Sequence, residues 1–315
     1  MNVRRRLIPM IAAAGALAAL SACSTDSAAA GGTGKFDVVA SFYPMAFLAE
    51  QIGGDHVSVT SLTQPGQEPH DLEISAKQTA QLQESDAVLY LKNLQPSVDE
   101  AVAQAGVGTT IDAATLTSLE EHGNEVGGHA AEHDDEHGEE AGGKDPHIWL
   151  DPVKYSEVAK GVGAAFEKAD PDHAADYKAN TAALVKKLDA LNTRFEDGLR
   201  NTDSKVFITT HAAFGYLAER YGLTEEAING LDPESEPSAN RVKDLEKMAK
   251  ADGVTTVFYE TLVSDKTAKT IASDAGLKTD VLDPIEGITE KSRGKDYFAV
   301  QEANLKALQA ALGAK

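Results

Sequence analysis

DHAADYKANTAALVKKLDALNTRFEDGL, residues 172–199, carries a single apolar stripe. Tyr177, Leu184, Leu188, Leu191 and Phe195 recur at spacings of three, four and seven, the period of one helical face. Pro171 suits the first turn, Asp170 its N-cap, and Gly198 lies near the end. A helix of about 28 residues spans roughly 42 Å at 1.5 Å per residue. One stripe this short argues against an isolated coiled coil. The rod is expected to brace two lobes and to limit how far they hinge.

On both sides of it, short β-rich runs alternate with helical patterns. Before it come strands over Asp37–Ser41, Val57–Leu62, Ala87–Leu91 and Thr109–Asp112, with helices over Ala46–Ile52, Ser75–Glu84 and after Gln95. After it come strands over Lys205–Thr209, Glu226–Ile228, Thr255–Tyr259 and Thr279–Leu282, with helices over Ala212–Tyr221, Asn240–Lys250, Ser264–Ala275 and from Lys295 onward. Such alternation predicts an α/β fold, each lobe a parallel sheet flanked by helices. The expected organisation is a signal peptide over 1–22, a tether over 23–35, an N-terminal lobe over 36–152, a helical connection over 153–200 and a C-terminal lobe over 201–315.

The signal peptide rests on Arg4, Arg5 and Arg6, an apolar stretch from Leu7 to Leu20, and small residues up to Cys23. The apolar stretch is too short for a usual membrane span. Cys23 is the only cysteine, so no intrachain disulfide is available. Leu20-Ser21-Ala22-Cys23 resembles a bacterial lipobox, which implies lipid on Cys23. The Ser/Ala/Gly/Thr-rich run up to Gly34 reads as a flexible tether. The formal charge is −21, and loss of residues 1–22 would make it three units more negative. That surface argues against nucleic acid and anionic lipid as partners.

Nine histidines are present. His122, His129, His133 and His137 lie between Glu120 and Glu140 among nine carboxylates, with no Lys or Arg. The run, part of an acidic loop over 120–143, cannot make a core. Its composition suits weak collection of a divalent ion. Of the rest, His56 and His173 read as ordinary hydrogen-bonded or surface groups. His70, His147 and His211 each follow a predicted strand, where open α/β sheets bind ligands. Pro69, Pro146 and Pro152 frame two of them, and Asp71, Asp145 and Asp151 stand ready to orient imidazoles or cap helices. A carboxylate from Asp283-Pro284-Ile285-Glu286 would complete a four-coordinate zinc site.

The chain resembles the metal-binding solute-binding proteins of bacterial ABC transporters, cluster A-I, in their zinc-specific branch (the ZnuA and AdcA type). The segments that carry this are the lipobox; Ser41-Phe42-Tyr43-Pro44; Pro69-His70-Asp71; the acidic His-rich loop; Asp145-Pro146-His147-Ile148-Trp149-Leu150-Asp151-Pro152; Thr210-His211-Ala212-Ala213-Phe214-Gly215-Tyr216; Glu236-Pro237-Ser238; and Leu282-Asp283-Pro284-Ile285-Glu286-Gly287. The resemblance implies two lobes joined by one long helix, a zinc ion bound between them by His70, His147 and His211, and delivery to a permease and its ATPase. It implies an extracytoplasmic, membrane-anchored lipoprotein, monomeric, with one tight Zn2+ and further weak sites in the loop. Manganese-binding relatives usually place a Glu where this chain has His211, and a third imidazole favours zinc. For the fourth ligand, the Pro-Ile-Glu-Gly ending ranks Glu286 first, with Asp283 and Glu260 as alternates.

Three His beside a Glu also suit a zinc hydrolase. No His-Glu-x-x-His pair and no Gly-x-Ser-x-Gly elbow occurs, and the only thiol is in the leader. A binding protein, not an enzyme, is the expectation. A manganese or iron receptor of the same family and a surface zinc buffer or adhesin are the alternatives.

Overall fold

The computed structural model describes residues 34–123 and 144–315, together with the backbone of 125–126. The signal peptide, Cys23 and His129, His133 and His137 lie outside the described residues.

Strands β1 (Phe36–Ala40), β2 (Val57–Ser61), β3 (Ala87–Tyr90) and β4 (Thr109–Asp112) form a parallel sheet in the order β2-β1-β3-β4. Side chains alternate across a strand, and here both faces are apolar, as a helix-covered parallel sheet requires. Val38, Ala40, Ala87 and Leu89 enter the main core, while Val39 and Val88 enter a second cluster. Helix α1 (Tyr43–Gly53) packs on the first face; α2 (Ala76–Glu84) and α3 (Pro96–Ala105) cover the second. Ser75 and Gln78 close α2 with a reciprocal capping box.

Strand β5 (Glu125–Val126) lies inside the acidic segment and pairs antiparallel with a strand of the other sheet. That part of the segment therefore joins the second lobe, although its sequence position suggests the first. Helix α4 (Pro152–Ala169) begins on an Asp151 side chain that accepts from the Val153 N–H. Helix α5 (Ala174–Leu199) is the long rod, and Tyr177, Leu184, Leu188, Leu191 and Phe195 are all buried along it. Asp170 does not cap it. A short 3-10 turn, Pro171–His173, intervenes, and the Asp170 carboxylate accepts from His173 Nδ1 and the Tyr177 hydroxyl instead. Glycine at 163 lets α4 and α5 approach closely, because a Cβ there would run into Thr181 Oγ1.

The second sheet contains β6 (Val206–Thr209), β7 (Thr224–Ala227), β8 (Thr256–Tyr259) and β9 (Lys278–Val281), in the order β5-β7-β6-β8-β9. All pairs but β5–β7 are parallel. It is flanked by α6 (Gly215–Tyr221), α7 (Ala239–Ala251), α8 (Lys266–Ala275) and α9 (Tyr297–Leu312). Helix α6 starts at Gly215 rather than Ala212. The Ala212 N–H goes to the Gly230 carbonyl and the Phe214 N–H to Glu225 Oε1, and the helical hydrogen bonding begins with the Ala218 N–H on the Phe214 carbonyl. Among the described residues no helix is long and apolar enough to cross a membrane.

The lobes share one core. Trp149, fully buried, donates its Nε1–H to the Pro284 carbonyl at 2.7 Å, and Tyr297 donates its hydroxyl to the Trp149 carbonyl at 2.6 Å. The floor of the cleft is thereby tied to both sides.

Candidate metal centre

His70 lies on the loop between β2 and α2, His147 just before the 3-10 turn Ile148–Leu150, His211 just past β6 and Glu286 in the turn after β9. Their ligand atoms all lie within 4.8 Å of one another. The imidazole Nε2 atoms stand 3.2 Å (His70), 3.4 Å (His147) and 3.6 Å (His211) from Glu286 Oε1. A tetrahedral zinc with bonds of about 2.0–2.1 Å holds its ligand atoms roughly 3.3 Å apart. The spacing fits that ion.

Each inner candidate ligand is fixed from behind. The Asp145 Oδ1 accepts from His147 Nδ1 at 2.7 Å and from the His147 N–H at 2.9 Å. Glu260 Oε1 accepts from His211 Nδ1 at 2.9 Å and from Thr210 Oγ1 at 2.8 Å. A carboxylate on Nδ1 sets the tautomer and turns Nε2 toward the cleft. Glu286 is aimed by its turn. Ile285 sits at φ +60°, a left-handed conformation that costs a β-branched residue roughly 1–2 kcal/mol. Asp283 and Asn304 hold it there: Asp283 Oδ1 accepts from the Ile285 N–H, and Asn304 makes two hydrogen bonds to the Asp283 backbone.

His147 Nε2, His211 Nε2 and Glu286 Oε2 are buried without hydrogen-bond partners among the described residues. Buried polar atoms are normally satisfied, and a cation is the partner these three share. Electrostatics agree. Burial opposes charge on His147, yet Asp145 and Glu286 raise it to about 9. Burial likewise opposes charge on His211, and Glu260 with Glu286 lifts it well above the usual imidazole range. Burial pushes the Glu286 carboxyl up, but the three imidazoles hold it well below the usual carboxylate range. Negative charge is thus built in where the three imidazoles converge.

Of the candidates for a fourth ligand, Glu286 is the one brought to the imidazoles. Asp283 shapes the turn and Glu260 holds His211. Asp71 is exposed, while Asp151 caps α4 and takes two hydrogen bonds from Arg220. His122 is set against Asp145, apart from the four. His56 and His173 stack on each other and pair with Asp176 and Asp170. Two acids lay hidden in the sequence. Glu68, two residues before His70, is pushed up to about 8 by burial and by Glu286. Glu225, wholly buried on β7 beside β6, is pushed up to about 7 by burial. Glu68 had a signal in its place between Pro65 and Pro69; Glu225 had none.

Residues 38–311 match the family of the periplasmic zinc-uptake complex component A (ZnuA). The chain belongs to this family. Members are solute-binding components for zinc uptake, not enzymes. Among ZnuA relatives, the zinc-binding lipoprotein AdcA of Streptococcus pneumoniae is 36% identical over 300 residues, covering 92% of this chain. The high-affinity zinc uptake system protein ZnuA of Bacillus subtilis is 35% identical over 305 residues, covering 94% of this chain and 93% of its own. The chain spans only 58% of the length of that AdcA. The crystal structure of the Zn(II)-bound ZnuA-like domain of S. pneumoniae AdcA superposes with a TM-score of 0.73 at 33% identity, over 89% of this chain and 99% of that one. The two-lobe ZnuA-like fold with its long helix is therefore shared.

Proposed function

We propose that this chain is an extracytoplasmic zinc receptor that captures Zn2+ between its lobes through His70, His147, His211 and Glu286 and hands it to an ABC permease. The observation that carries this reading is the convergence of three imidazole Nε2 atoms on one buried carboxylate oxygen, all within 4.8 Å. Three nitrogens and one oxygen suit zinc better than manganese, which prefers more oxygen. The zinc-binding names of the relatives support the same ion. Capture ties the lobes together, and the permease reads the loaded form. Cys23 carries the lipid that holds the receptor at the membrane. His129, His133 and His137 collect zinc weakly and raise its concentration near the cleft.

Competition titration of metal-stripped protein with zinc and manganese tests this, with bound metal counted by elemental analysis. One tight zinc per chain that manganese does not displace is expected. Manganese binding as tightly as zinc would move the protein to the manganese and iron receptors.

A further inference from the structure

His122 belongs by sequence to the acidic loop, yet it is built into the body of the protein. Its side chain is 8% exposed, its Nδ1 donates to Asp145 Oδ2 at 2.7 Å, and its ring meets Tyr216 edge-on at 4.6 Å. Space for it is reserved. A Cβ at Gly215 would lie 2.5 Å from His122 Nδ1, closer than real contacts allow, and a tight 3.0 Å from Asp145 Oδ2. The root of the loop is clamped at the same place. The Asp145 N–H donates to the Glu120 carbonyl at 2.9 Å. Tyr216 accepts from the Glu120 N–H and donates to the Asp145 carbonyl, both at 2.8 Å.

Asp145 therefore uses its two oxygens separately. Oδ1 serves the His147 ring and backbone, and Oδ2 serves His122. The carboxylate is fully buried, so without His122 its Oδ2 would lose its hydrogen-bond partner among the described residues, and the group would be held through Oδ1 alone. A turn of the carboxylate turns His147 with it.

We propose that His122 is a positioning residue of the metal site: through Asp145 it fixes the orientation of His147, so the root of the acidic loop is coupled to the tight site. The inference rests on His147 being a zinc ligand. It divides the loop histidines. His122 tunes the affinity of the tight site, and His129, His133 and His137 do not.

The side chains that replace His122 can separate positioning from packing. Asparagine places its amide nitrogen near the position of Nδ1 and keeps the Asp145 hydrogen bond. Glutamine reaches toward Nε2 and Glu219 and loses it. His122→Ala and His122→Gln are expected to weaken zinc binding about tenfold, the lower end of what losing an outer partner of a metal-bound imidazole costs. His122→Asn should bind as the unaltered protein does. Cobalt(II), used as a spectroscopic probe of the same site, should show shifted d–d bands in the Ala and Gln variants only. Deleting 124–143 should leave tight affinity in place, whereas deleting 122–143 should reproduce the His122→Ala loss. Unaltered zinc affinity and cobalt spectra in both His122→Ala and His122→Gln would overturn the proposal. So would an equal loss in Asn and Gln, which would mark His122 as packing alone. Failure of the metal-site reading itself looks different: His147→Ala would then bind zinc normally.

Discussion

Two of the three imidazoles are held and one is not. His147 and His211 are buried, each with a carboxylate on Nδ1. His70 sits 12% exposed on a loop rich in exposed residues, and no carboxylate backs its Nδ1 among the described residues. On the proposed function, the contrast divides the site into a floor of His147, His211 and Glu286 and a closing ligand, His70, on the more exposed side. The floor is held by buried hydrogen bonds among protein groups, whereas the ring of His70 hydrogen-bonds only with Glu286 Oε1, at 3.2 Å, among the described residues.

The largest effect should follow loss of a floor ligand. His147→Ala is expected to lower zinc affinity by well over about 100-fold, more than outer-partner losses of roughly 10–100-fold, measured by chelator competition. It also leaves Asp145 buried with one partner fewer, so the metal-free protein should melt earlier. An affinity within a few fold of the unaltered protein would remove His147 from the floor.

pH should act mainly through the same two residues. With His147 at about 9 and His211 also raised, metal-free protein carries protons there at neutral pH, and zinc must displace them. Apparent affinity should then rise by roughly tenfold per pH unit for each proton released, and keep rising above pH 7 toward pH 9. The stability of the metal-free form runs the other way. A raised imidazole contributes fully below its unfolded value near 6.5 and loses that contribution as pH climbs through about 9. Titrations between pH 6 and 9 check both signs. An affinity that levels off at pH 7 would mean the floor imidazoles are neutral before zinc arrives.

His70→Ala should cost less than His147→Ala, about 10–100-fold, because water reaches that side and can fill the fourth position. The loss should fall mainly on the zinc dissociation rate, read by stopped-flow transfer to a chelator. Equal equilibrium losses for the two variants would break the division into floor and closing ligand.

How much of this was legible depends on the range of the interactions involved. The stripe on α5 repeats every turn, so its buried face could be read directly. The three imidazoles stood out because each follows a predicted strand, and prolines and aspartates frame two of them. The aim of Glu286 was not readable, since it depends on Ile285 at positive φ and on Asn304, which approaches from α9. The link from His211 to Glu260 exists because β6 and β8 are neighbours in the sheet, a pairing that spacing does not reveal. His122 was hidden by the acidic residues around it. The start of α6 was misplaced because the Ala213 N–H turns back to the His211 carbonyl and helical bonding begins only at the Phe214 carbonyl, a local turn that apolar spacing does not reveal.

The smallest effect, and the sharpest test of the floor, is Glu260→Gln. The substitution keeps an acceptor for His211 Nδ1 and Thr210 but removes the charge. Two consequences oppose each other. A neutral partner makes His211 a weaker ligand, by about tenfold in affinity on the scale of outer-partner losses. The same change lets the His211 imidazole fall back toward its ordinary value, because Glu260 is the leading favourable influence that raises it against burial. Fewer protons then compete with zinc at low pH. The variant should therefore trail the unaltered protein by the full factor near pH 9 and by much less near pH 6. A gap that stays constant with pH would mean Glu260 acts through shape alone, and a gap that narrows as pH rises would reverse the electrostatic account of the floor.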